Sequence, residues 1–414
     1  MNIKERIIKN IPVTYVDTNK FKSVCGILYF KSPITKRKLV SGHIIRNILL
    51  HTTKKYPTNR LLNINCLENY SASYSATLRR DGNYISNIFL FRSLDKRYTK
   101  EDTTQNVLDT FNEIIFNPNS SNNKFNDEEF DLAYQKIKSS IEAEKESAKL
   151  YASKILNKQQ GDKTPISYTV EVEDLEKITN EEVYKDYLDM INNSEVGLIV
   201  AGHNVSSLNF DKLLSNIKTK KYNDKLKIET KIKEEFCEKI EEYNGLQSVL
   251  AVGLKLKDLT DYESTYVMPI FNNILGAGAS SRLFDVIREK NSLCYSCFSR
   301  YEKDDNLIQI FAGIEYQNYE KTLNLTKEVI KSMEKIEEDE VKRAITDITS
   351  SLKECLDDIQ NYVIPLYSSK LYNEDNILDK IENIKKVTKE DVEAIYNKLF
   401  ITDSFFLKGG KTDE

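Results

Sequence analysis

An internal repeat constrains this chain more than any other feature of its sequence. Ile178-Thr179-Asn180-Glu181-Glu182-Val183 and Val387-Thr388-Lys389-Glu390-Asp391-Val392 read alike, and their threonines stand 209 positions apart, 179 to 388. Each places an acid three residues after a Thr, the pairing that satisfies free N–H groups at a helix start. Each then leads through a Tyr-bearing helix into an apolar run, Val196 to Ala201 in one case and Ser404 to Leu407 in the other. A second pair keeps the same order. Ala72-Ser73-Tyr74-Ser75 passes through a charged turn at Arg79-Arg80-Asp81-Gly82 into a strand from Tyr84 to Phe91, and Leu293-Cys294-Tyr295-Ser296 passes through Glu302-Lys303-Asp304-Asp305 into one from Leu307 to Ile314. That last segment is apolar on both alternating faces, as in a sheet covered on each side. Helix-period stretches follow at 104–116 and 319–333. Two copies of one α+β unit, each a helix-layered antiparallel sheet of roughly 200 residues, account for the 414 positions. The expected division is 1–218, a Lys- and Glu-rich linker at 219–233, and 234–414.

Two helices could carry chemistry. At 130–154, Phe130, Tyr134, Ile137, Ile141, Ala148, Tyr151 and Ile155 recur at spacings of three, four or seven and predict one long helix with a single buried stripe. At 39–52, Val40, Ile44, Ile45, Ile48 and Leu49 form the apolar side, which leaves positions 43 and 47 together on another face.

Composition narrows the chemistry. The chain holds 60 Lys and Arg against 64 Asp and Glu, a balance that argues against a nucleic-acid binder. No run approaches a membrane span, and the start lacks the apolar stretch of a signal peptide, so a soluble cytoplasmic protein is expected. Six scattered Cys read as reduced thiols. Only three His, at 43, 51 and 203, restrict imidazole chemistry. Cys294 and Cys297 form a C-x-x-C; on a regular strand they point to opposite faces, as two separate buried thiols, and no second C-x-x-C completes a zinc set. Gly276 and Gly278 lack the third glycine or the Gly-Lys of a phosphate loop. Pro269 removes a backbone donor and should kink the helix before them.

The stretch from Gly42 to Pro57, containing His43-Ile44-Ile45-Arg46-Asn47 and ending Lys54-Lys55-Tyr56-Pro57, resembles the inverted zinc motif region, H-x-x-E-H, of the pitrilysin (insulinase-type) peptidases. In that motif two His hold Zn²⁺, the Glu is the general base and a distal carboxylate completes the site. Here only His43 matches. Arg46 stands at the base position, Asn47 at the second ligand, and Ser140, or Glu142 on a slip of two residues, at the distal ligand. A permanent cation in place of the base and a single imidazole cannot hold zinc. His51, two helical turns from His43, is too far to share a metal.

The second repeat matches more fully. Gly276 to Ser296, with Ser281-Arg282-Leu283-Phe284 and Arg288-Glu289-Lys290 before Tyr295, is similar to the C-terminal-repeat motif of the same family. In its two-chain members the corresponding Arg and Tyr reach the partner's active centre, which implies substrate and oxyanion contacts for Arg288 and Tyr295. The alternative is a helix start capped by Ser280 or Ser281, with Arg and Tyr merely packing. The resemblance implies two homologous, mitochondrial processing peptidase-like repeats. The nearest likeness is to the zinc-less chain of bacterial pairs associated with 5-aminopentanol modification of elongation factor P. It further implies no cofactor bound by this chain, a zinc-bearing paralogue as partner in a heterodimer, and a peptide substrate. A homodimeric structural or peptide-binding protein is the other reading.

Overall fold

The computed structural model describes residues 2–161, 164–223 and 236–410. The chain forms two compact units, each assembled from separated segments: Met1–Ile141, Val170–Leu226 and Glu354–Glu374 in the first, Glu142–Thr169, Lys227–Lys353 and Asp375–Glu414 in the second. The expected halves, 1–218 and 234–414, are contiguous, whereas each unit contains a segment drawn from the other half of the sequence. Most of the expected linker lies outside the described residues.

The first unit is built on a six-stranded sheet, with β1 (Asn2–Ile8), β2 (Ile11–Asp17), β3 (Ser23–Pro33), β4 (Ser73–Asp81), β5 (Tyr84–Leu94) and, after a hairpin of two-residue strands β6 (Ser120–Ser121) and β7 (Lys124–Phe125), β8 (Glu195–Gly202). Its order is β1-β2-β8-β3-β5-β4. The second unit holds β9 (Cys237–Glu242), β10 (Ser248–Leu256), β11 (Cys294–Glu302), β12 (Leu307–Ile314) and β13 (Leu399–Lys408) in the order β11-β12-β10-β13-β9. Strand for strand the sheets coincide: β2 pairs β8 in parallel as β9 pairs β13, and the other neighbours in both series are antiparallel. β1 is the addition. The α+β architecture read from the repeat is therefore present, with one parallel pair in each otherwise antiparallel sheet.

Both capping boxes form. The Thr179 hydroxyl accepts from Glu182 N while the Glu182 carboxylate accepts from Thr179 N, and Thr388 and Asp391 do the same. They start the helices Asn180–Asn193 and Lys389–Ala394, which precede β8 and β13.

The single helix expected at 130–154 is two helices, Asp127–Glu146 and Ala148–Gln159. Ser147 breaks it, extended at ψ 100° and accepting from Leu150 N as the cap of the second. The apolar stripe serves two cores. Ala133, Ile137 and Ile141 pack in the first unit, while Ala152, Ile155 and Leu156 pack with Val249, Ala251, Phe311 and Phe405 in the second. This covers the second face of the second sheet. Ile308, Ile310 and Ala312 of β12 join the main core, Phe311 meets the Ala148–Gln159 helix, and Gln309 donates to Asn157 Oδ1 at 2.7 Å.

The helix Ile359–Tyr372 does the same for the first sheet. Its Tyr367 ring packs edge-on against Tyr29 at 4.9 Å, and its hydroxyl donates to Asp81 Oδ2 at 2.8 Å. Asp81 also accepts from Ser86 and pairs with Arg79 at 2.6 Å. Around Pro269 the helix rewinds rather than simply kinking: π-helical turns at Glu263–Val267 and Asn273–Ala277 flank a short α-helix, Met268–Asn272. The missing proline N–H breaks the regular ladder there.

Candidate functional site

His43 lies on the helix Lys36–Leu49, begun by Thr35, whose hydroxyl accepts from Lys38 N. Val40, Ile44, Ile45 and Ile48 are buried in the first unit's core, which turns His43, Arg46 and Asn47 onto the helix's partly covered side. Arg46 Nη2 lies 3.0 Å from His43 Nδ1, so the ring nitrogen accepts from the guanidinium. Asn47 Nδ2 donates to the His43 carbonyl at 2.8 Å. Burial, reinforced by the Arg46 charge, pushes the His43 pKa down to about 4, so the imidazole is neutral near pH 7.

Ser140 is exposed on the helix Asp127–Glu146, and Glu142 is exposed on the same helix. His51 is engaged elsewhere, its Nδ1 2.5 Å from Glu129 Oε2. Among the described residues no group of three or more His, Cys, Asp or Glu could hold a metal ion. The donors at the motif positions do not fit zinc: one imidazole has a cation at its Nδ1, an amide is spent on a carbonyl, and an exposed hydroxyl is a weak ligand.

In the second unit Gly276 marks a close approach to β11, since a Cβ there would meet Ser299 Oγ at 2.6 Å. The following helix begins at Arg282. Ser281 precedes it, and its buried hydroxyl makes no hydrogen bond among the described residues, so the expected side-chain cap does not form there. Arg282 fixes this start instead. Its guanidinium pairs with Glu340 at 2.5 Å and donates to the carbonyls of Ser332 and Lys335.

Phe284–Lys290 winds as a π-helix and carries Arg288, whose guanidinium carbon lies 4.5 Å from the Phe284 ring centroid and 5.4 Å from that of Tyr295. Tyr295 is 83% exposed, and its phenol faces water. The Arg and Tyr named by the motif are thus neighbours, a cation against an aromatic face. Arg288 Nε also lies 3.6 Å from Glu289 Oε1, and the Tyr295 phenolic O–H is open to water.

A β-bulge creates this exposure. Cys294 pairs Ile314 and Cys297 pairs Ala312, so two residues of β11, Tyr295 and Ser296, oppose the single Gly313. Both bulged residues are exposed. The extra residue also corrects the reading of Cys294 and Cys297 as thiols on opposite faces, because each sits across from a β12 residue of the same face and both pack on the same core. Beside them lies a cleft of about 510 Å³ lined by Cys294, Tyr295, Ser248, Glu315, Tyr316 and Gly410, among others. The sequence gives no sign of this cleft, since its walls come from four separated segments.

Comparison with known proteins bears on the family and the fold. The family model described as peptidase M16 inactive domain matches residues 152–348. The chain is 26% identical over 404 residues, 95% of each protein, to the probable inactive metalloprotease YmfF of Bacillus subtilis. Its fold is similar to that of a conserved protein from Enterococcus faecalis, with a TM-score of 0.91 at 20% identity over the whole of both chains. It is also similar to a peptidase M16 inactive domain from Pseudomonas fluorescens, with a TM-score of 0.80 at 16% identity over 100% and 99% of the two chains.

Proposed function

We propose that this chain, which is similar to the M16 (pitrilysin, insulinase-type) peptidases, is the non-zinc subunit of a cytoplasmic heterodimeric metallopeptidase, contributing oxyanion contacts to a partner that carries the metal. One observation carries this reading: the first repeat sets Arg46 against His43 where the motif it resembles has its general base, while the second sets the half-buried Arg288 beside the exposed Tyr295. A guanidinium and a phenol donate hydrogen bonds to an oxygen on which negative charge develops, and they stabilise it most when preorganised. Phe284 and the ring of Tyr295 hold the Arg288 head in place. In this proposal the chain itself binds no cofactor, and Zn²⁺ and the general base come from a zinc-bearing M16 paralogue. The sequence likeness also suggests work alongside 5-aminopentanol modification of elongation factor P.

Steady-state peptide hydrolysis by the mixed chains tests the role of the two residues. Arg288→Ala should lower kcat/KM by about 10²–10³-fold and Tyr295→Phe by about tenfold, with unchanged melting temperatures. Unchanged rates in both variants would remove the catalytic role. A second reading, a peptide-binding homodimer without enzymatic work, draws on the inactive description of the B. subtilis relative and on the open cleft beside Tyr295.

A further inference from the structure

The Cys294–Cys297 pair is not used by the function proposed above, and the bulge in β11 gives it a geometry that the sequence alone does not. On a regular strand residues three apart are separated by about 10 Å and point to opposite faces. With one residue bulged out, the two cysteines stand across from Ile314 and Ala312, which are only two apart. Their backbone separation then falls to about 6.8 Å, at the upper end of the roughly 4.4–6.8 Å that a disulfide bridges. Both side chains face the same core, where Cys297 is buried at 5% exposure and Cys294 is half-buried. Cys294 alone of the two lines the solvent-open cleft beside Tyr295. One thiol is reachable from water, and the other stands behind it on the same face.

We propose that Cys294 and Cys297 form a peroxide-oxidisable dithiol, with Cys294 as the attacking thiol and Cys297 as the resolving one. The Cys294 thiolate attacks the O–O bond of a hydroperoxide; an S–O bond forms, the O–O bond breaks, and an alcohol or water leaves after protonation. The Cys297 thiol then attacks the sulfenic sulfur, forming the S–S bond and releasing water with the Cys297 proton. Two thiols lose two electrons and the hydroperoxide gains them. The charge pattern agrees with this order of events. Interaction with the Cys297 thiol, helped by the Arg288 cation, lowers the Cys294 pKa, while the same interaction and burial raise that of Cys297. The bond closes across the bulge, so it fixes the two residues, Tyr295 and Ser296, that the bulge holds in solvent. The proposal is independent of any part Arg288 and Tyr295 play in catalysis.

Hydrogen peroxide treatment of the full chain, followed by alkylation and peptide mapping, tests it without an activity assay. The expected result is a peptide that has lost two hydrogens and carries a Cys294–Cys297 bond, with alkylation lost at both and restored by dithiothreitol. In Cys297→Ser the Cys294 sulfenic acid should persist and be trapped by dimedone, and in Cys294→Ser Cys297 should stay reduced. Alkylation of both cysteines undiminished while the exposed Cys237 is oxidised, or a bond from Cys294 to any other cysteine, would overturn the proposal.

Discussion

His43 stands at the first-ligand position of the zinc motif that this stretch resembles, and its surroundings do not suit a metal. Arg46 donates to its ring and burial keeps it neutral, its pKa down at about 4 against about 6.5 in an unfolded chain. Between those values the unfolded state binds the extra proton, so stability is lost as pH falls from 6.5 toward 4, by up to about 3 kcal/mol. Urea unfolding at pH 7 and pH 4.5 should show this loss, and His43→Gln should flatten the part that His43 contributes. An equal pH dependence in the variant would place the effect elsewhere. The chemistry of these positions was legible in the sequence, since no fold makes Arg46 a base or Asn47 a good zinc ligand. The Arg288–Tyr295 adjacency and the Cys294–Cys297 pairing were not, because both depend on a bulge set by the register of β11 against β12, and local spacing does not report register.

Two pins hold the elements that matter. Arg282 ties the start of the Arg288 helix to Glu340 and to two carbonyls, and Tyr367 ties the helix Ile359–Tyr372 to Asp81 and Ser86 on the first sheet. Removing Arg282 leaves Glu340 without its bidentate partner, so Arg282→Ala should cost about 2–4 kcal/mol in chemical denaturation, and Lys should restore little of it. Tyr367→Phe strips a buried donor from Asp81 and should cost about 1–3 kcal/mol. Losses under about half a kcal/mol would mark either pin as incidental. The capping boxes and most strands were legible at this scale because their signals are local: a Thr with an acid three residues on, or alternating apolar residues. The break at Ser147 was not. An uninterrupted apolar stripe looks the same whether it feeds one core or two, and here Ile141 and Ile155 belong to different ones.

The whole chain repeats one sheet plan twice, and each unit takes a covering helix from the other half of the sequence. The repeat was legible because it recurs in order. The exchange was not, because nothing in a helix's own sequence says which sheet it will cover. Residues 1–223 expressed alone lack the helix Ile359–Tyr372, which would bare Ile27, Ile88 and Leu90 on the face it covers. That fragment should bind a hydrophobic dye and melt without cooperativity, whereas a sharp transition would show that the first unit does not need its borrowed helix. Among the described residues no helix is long and apolar enough to cross a membrane. The central claim is that this chain completes a zinc-bearing partner, and native mass spectrometry of the chain mixed with a zinc-bearing M16 paralogue from the same genome tests it most directly. A one-to-one complex carrying the partner's zinc is the predicted result; a homodimer that ignores the partner would contradict it.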